Sequence, residues 1–186
     1  MKNILSLFIF LSLFINSCKE KKESEKEPVI SVLSIIKGQV NHIDTSFYQL
    51  VKTETVDGKT DTTYIKREEV RGLAAAFLSL PDISQNHYSE NYTEDRLIDA
   101  SQNTLSITST AKEEKPEIQK QIIIIPLDEL ASGKVESIFI DRSVRVNDSS
   151  IQQKLFWQID QYFQVVSIIQ KGNEPEKVQI TKVKWD

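Results

Sequence analysis

The chain is poor in the residues that most often carry chemistry. Its 186 residues include one cysteine, two histidines, one methionine and five glycines. A single cysteine, Cys18, excludes any disulfide within the chain, and a domain of this size does not need one. The two histidines, His42 and His87, are too few for a histidine-based zinc site without added carboxylates, and no HExxH-like spacing is present. Each reads first as a surface or capping residue. The glycines stand at 38, 58, 72, 133 and 172 and nowhere cluster into a phosphate-cradling loop. No GxSxG elbow is present to place a nucleophilic serine. Lys and Arg number 23 against 27 Asp and Glu, a net charge of −4, and no basic stripe marks the chain as a nucleic-acid binder. Internal repeats are missing. Long apolar runs are missing too: Ile4–Ile15, interrupted by Ser6 and Ser12, falls short of the ~20 residues that span a bilayer.

What is present begins with that short run. Lys2 supplies a positive end, Ile4–Ile15 an apolar core of signal-peptide length, and Asn16-Ser17-Cys18 a small-residue junction. The pattern resembles a bacterial lipoprotein signal, usually an aliphatic residue, a small residue, Gly/Ala/Ser, then Cys. Ile15, Ser17 and Cys18 fit it, and Asn16 departs from it. The resemblance implies cleavage before Cys18, lipidation of its thiol and durable anchoring through two or more acyl chains. In such lipoproteins an Asp after the cysteine retains the protein in the inner membrane. Lys19 stands there instead, so the resemblance implies the outer membrane, with the domain facing either the periplasm or the cell surface. Residues Lys19 to Glu27 hold four Lys and four Glu around Ser24. They look like the surface-export signals of some Gram-negative lipoproteins, and equally like a solvated tether, since they offer no apolar surface to bury. Fully extended, Cys18–Pro28 reaches at most ~36 Å.

Beyond a leader of residues 1–17 and a charged tether of 18–28, residues 29–186 are enough for one domain with a real core. Without Lys2 the remaining chain is slightly more acidic, about −5. Ile30, Leu33, Ile36, Val40 and Ile43 recur at helical spacing and predict an amphipathic helix over Val29–His42, with a strand as its rival. Tyr48–Thr55 and Thr60–Ile65 flank Asp57-Gly58, a strong hairpin signal. Val70, Leu73, Ala74, Phe77 and Leu78 then predict a helix that starts near Glu68 and ends before Pro81.

From Leu105 onward the pattern is one of strands: Leu105–Thr110, Ile118–Ile125, Lys134–Asp141, Lys154–Ile159, Tyr162–Gln170 and Val178–Trp185. Turn-like separators divide them. At Asp160-Gln161 two readings stay open, a hairpin or one long bent strand over 154–170. Strands joined by short loops favour an antiparallel meander. The expected fold is therefore α+β: two N-terminal-half helices packed on a mainly antiparallel, meander-like sheet. In outline this resembles the half-barrel lipoprotein carriers of the periplasm and small helix-plus-four-strand inhibitor and assembly modules. The resemblance is architectural and carries no functional residue across.

Three functional expectations follow. The first is a non-enzymatic, membrane-tethered module that binds a protein or another envelope component, with no cofactor and no metal. The second is a hydrophobic-ligand carrier in which Phe156, Trp157, Phe163 and Trp185 line a cavity under a curved sheet. The third, a hydrolase using paired carboxylates, would draw on Asp82, Glu90, Glu94, Asp95, Asp141 or Asp160, none of which the sequence pairs. Asp44, Asp57 and Asp61 lack the ligand spacing of a calcium loop.

Overall fold

The computed structural model describes residues 30–185, so Cys18, the leader and the tether lie outside the described residues. The first element, α1 (Val32–Thr45), begins three residues later than its periodicity predicts. Ser31 sets the start: its Oγ accepts from the Ser34 N–H at 3.2 Å, an N-cap bond. Val32, Ile36, Val40 and Ile43 recur every three or four residues and form the buried stripe.

The hairpin β1 (Leu50–Val56) and β2 (Lys59–Tyr64) follows, joined as expected at Asp57-Gly58. Both turn residues have positive φ, 49° and 78°, which is the type I′ geometry that matches strand twist. The predicted second helix divides into α2 (Arg67–Leu73) and α3 (Ala75–Leu78). The break falls at Ala74, where ψ opens to 5°, two residues after Gly72, the weakest helix former of the segment. Val70, Ala74 and Phe77 are all fully buried, so the apolar face runs on through the break. A further short helix, α4 (Asn86–Ser89), precedes the long meander.

Seven strands make that meander: β3 (Tyr92–Asp99), β4 (Thr104–Ala111), β5 (Ile118–Pro126), β6 (Ser137–Val146), β7 (Ser149–Gln158), β8 (Tyr162–Lys171) and β9 (Lys177–Trp185). All nine strands form one antiparallel sheet in the order β2-β1-β9-β8-β7-β6-β5-β4-β3. β9 pairs with β1 from Leu50↔Trp185 to Val56↔Gln179, joining the early hairpin to the meander. The α+β class therefore holds broadly, with the sheet dominant and four helices rather than two among the described residues.

Residues 154–170 are a hairpin, not one bent strand: Gln158 pairs with Tyr162, and Asp160 turns the chain at φ 59°. Asn147 does the same between β6 and β7, so those strands run closer to their turn than predicted. β3 has no counterpart in the sequence reading. It is an edge strand whose Glu94-Asp95-Arg96 run hides any alternation, and charge is how exposed sheet edges resist unwanted pairing.

One face of the sheet is covered and the other is not. On the covered face, Ile107, Ile123, Ile138, Trp157, Phe163 and Val183 occupy successive strands in one cross-strand row. All six are buried. Phe77 of α3 stands edge-on to Trp157, with ring centroids 5.0 Å apart, and to Phe163 at 5.7 Å. Among the described residues the buried core runs from Val32 in α1 to Trp185 in β9.

Candidate functional site

The aromatic residues expected to share a cavity are separated by strand alternation, which sends successive side chains to opposite faces. Trp157, Phe163 and Trp185 project to the covered face and are fully buried. Trp157 stacks on Phe163 at 4.8 Å, and the Trp157–Trp185 and Phe163–Trp185 centroids are 5.9 and 6.2 Å apart. Rings at these distances are in contact and leave no ligand space between them. Phe156 points the other way and lies 5.6 Å from Tyr162 on the uncovered face. The four cannot line one cavity, which corrects that expectation. The indole Nε1 atoms of Trp157 and Trp185 are buried without a hydrogen-bond partner, at a cost of about 1–3 kcal/mol each.

The carboxylates are dispersed. Asp82 accepts from Ser31 Oγ at 2.7 Å, Ser84 Oγ at 2.7 Å and the Ser84 N–H at 3.2 Å. Burial works against its charge, but the bonds from Ser84 and Ser31 together outweigh it and hold the carboxyl below its usual range. Glu94 pairs with Arg96 at 2.9 Å, and Asp160 accepts from Gln39 Nε2 at 2.9 Å. His42 bonds the Tyr48 hydroxyl at 3.1 Å, and His87 packs on Tyr88. Among the described residues no cluster of three or more His, Cys, Asp or Glu is placed to hold a metal ion.

A polar row closes the core at its far margin. Glu117 pairs with Arg142, whose Nη1 donates to Gln153 Oε1 at 3.0 Å and to the Ala76 carbonyl at 3.4 Å. Gln153 Nε2 donates in turn to Ser167 Oγ at 3.0 Å. Two strands further, Gln179 Nε2 donates to Glu54 at 2.6 Å and Lys52 pairs with the same carboxylate at 3.1 Å. The bonds from Lys52 and then Gln179 hold Glu54 below the usual carboxylate range. Each of these polar side chains meets a partner, on a neighbouring strand or loop for all but Lys52, whose partner Glu54 is on its own strand, and that is what permits polar groups at the margin of an apolar core.

The uncovered face is where the described residues leave concave and apolar surface together. Ile122, Phe139 and Phe156 are cross-strand neighbours there, with Ile124 and Tyr162 in the next row and Val166 and Ile180 in the row beyond. All are half-buried. A cavity of about 860 Å³ opens where the β4–β5 loop meets this face, and Lys115, Gln119, Asp141, Ser143, Arg145 and Lys154 are among its lining residues. A second concavity, about 640 Å³, lies against the same loop and is lined by Tyr88, Tyr92, Lys112, Pro116 and Glu117 among others. The Tyr92 hydroxyl donates to the Ile118 carbonyl at 3.0 Å. Burial, with help from Glu117 and Tyr88, pushes its ionisation up to about 12. In the sequence, residues 112–115 read only as one of the turn-like separators between strands. The available signal is that residues 112–117, alone among the connections of the β3–β9 meander, contain no Gly, Asn or Asp to make a tight turn.

No protein-family model, no curated protein and no solved structure matches this chain.

Proposed function

We propose that this chain is a lipid-anchored lipoprotein of the bacterial outer membrane whose domain is a non-enzymatic binding module for an envelope component. Anchoring rests on the leader pattern that ends at Cys18. The binding role rests on one observation, the sheet face left without cover. Half-exposed aliphatic and aromatic side chains in adjacent rows, including Ile122, Phe139 and Phe156, are surface that a stand-alone domain gains by covering. In this reading the helices of the N-terminal half serve as the lid of one face and leave the opposite face for a partner.

Two measurements test the two halves separately. Cys18→Ala moves the domain from the membrane fraction to the soluble fraction; a variant that stays membrane-bound through an alkaline wash removes the lipid anchor. Crosslinking in native envelopes, with the crosslinker placed at Phe139, captures a stoichiometric component of the envelope. The absence of any such product removes the binding role.

A further inference from the structure

The uncovered face carries a charge opposite in sign to that of the chain. Alternation places Lys120 of β5, Arg145 of β6, Lys154 of β7, and Lys182 and Lys184 of β9 on it, because Gln121, Ile140, Leu155, Val183 and Trp185 next to them or in register with them are buried on the other side. Within strands β5–β9 the only acid on that face is Asp141, which stands in one row between Lys120 and Lys154, and Glu114 of the β4–β5 loop joins Lys115 at the cavity on this face. Asp95 and Asp99 lie away from this patch, on edge strand β3. This concentration of cations sits on a chain of net charge −4. It surrounds the apolar ribbon of Ile122, Phe139 and Phe156. Lys182 Nζ also lies over the Tyr162 ring, 3.9 Å from its centre, so this cation is seated on the apolar ribbon itself.

We propose that this face docks on a membrane surface bearing anionic headgroups. A second copy of the chain would bring cations against cations, which costs association rather than favouring it. Anionic headgroups complement the lysines, while the ribbon of Ile122, Phe139, Phe156 and Tyr162 supplies the apolar contact that interfacial binding adds to electrostatic attraction. The proposal deepens the membrane-tethered reading and rests on it for proximity alone. Ser31, where the described chain enters α1, is close to the β5 side of the covered face, since Val32, Ile118 and Gln121 line one small gap. From there the near end of the patch, on β5, lies about one helix diameter, ~10 Å, plus four strand spacings of ~4.8 Å away, two out to the β3 edge and two back. A tether of up to ~36 Å covers that path with slack.

The test uses the chain from residue 18 onward, the mature form of the proposed lipoprotein, carrying Cys18→Ala, its fold checked by the buried-tryptophan fluorescence of Trp157 and Trp185, and sedimentation with large unilamellar vesicles. Expected is binding to phosphatidylethanolamine–phosphatidylglycerol vesicles and none to phosphatidylcholine vesicles. Binding is lost in 1 M salt, where the Debye length is ~3 Å. Lys154→Gln and Lys182→Gln each weaken it about fivefold, the factor for one cation near an anionic surface, while Lys37→Gln on the exposed side of α1 leaves it unchanged. Failure to bind anionic vesicles at low salt overturns the proposal, as does binding that Lys154→Gln and Lys182→Gln leave intact. Binding to polyglutamate but not to vesicles overturns it in favour of an acidic protein partner. Vesicle binding by a chain that proves soluble in cells, with Cys18 intact, keeps this surface and removes the anchor.

Discussion

Phe77 holds the cover of the sheet in place, and its removal measures how much the helices contribute. It is fully buried in α3, a helix of only four residues that cannot stand by itself. Its ring meets Trp157 and Phe163 edge-on at 5.0 and 5.7 Å. Truncating a buried phenylalanine to alanine costs about 3–5 kcal/mol, and each edge-on aromatic pair adds about 0.5–1.5 kcal/mol beyond buried area. One effect runs the other way. The indole nitrogen of Trp157, the ring that Phe77 packs against, has no partner, and a cavity there that admits water gives it one. The expected loss for Phe77→Ala is therefore about 3–4 kcal/mol, with about 1.5 kcal/mol for Phe77→Leu, which keeps most of the volume. The assay is urea unfolding followed by tryptophan fluorescence, which reports this cluster directly because Trp157 and Trp185 are the only tryptophans. A loss under about 1 kcal/mol for Phe77→Ala, at unchanged denaturant slope, would refute the view that this ring clamps the helices to the sheet.

Two further outcomes follow from the polar contacts. The Asp82 carboxyl is held below the ordinary aspartate value of 3.8 in the fold, so its contribution to stability is complete above about pH 4 and is lost as the pH falls through the depressed value. The difference in urea midpoint between the native chain and Asp82→Asn should accordingly shrink between pH 6 and pH 3; a constant difference would show that the bonds to Ser31 and Ser84 do not favour the charged form. Arg142→Ala leaves Glu117 and Gln153 short of a donor at a site where the arginine side chain is 16% exposed. A loss of about 2–3 kcal/mol is expected, with Arg142→Met costing less because the aliphatic stem is kept, and equal losses for the two would count against a polar origin.

What could be read from the sequence follows physical lines. The I′ hairpin was legible because Asp57-Gly58 is chemistry local to two residues. The stripe of α1 was legible because one helix face meets one core, though its first turn was displaced by the cap at Ser31. β3 was not legible: its neighbours on one side are solvent, so Leu97 and Ile98, both exposed, mark no face. Nor could the aromatic site be read correctly. Aromatic richness in β7–β9 says nothing about which face each ring takes, and Phe156 and Trp157, adjacent in sequence, face opposite ways across the sheet. The open face was hidden for the same reason, since the rows that join Ile122 to Phe139 and Phe156 exist only once the register is set.

The pairing of β9 with β1 has a kinetic consequence. Leu50 has no strand partner on that side until Trp185 arrives, so the sheet cannot be completed while the chain is still emerging. Closing so long a loop late gives a high contact order and slow folding. Under the export proposed above, such a delay is useful: the earliest strand stays without its partner until the last has passed through.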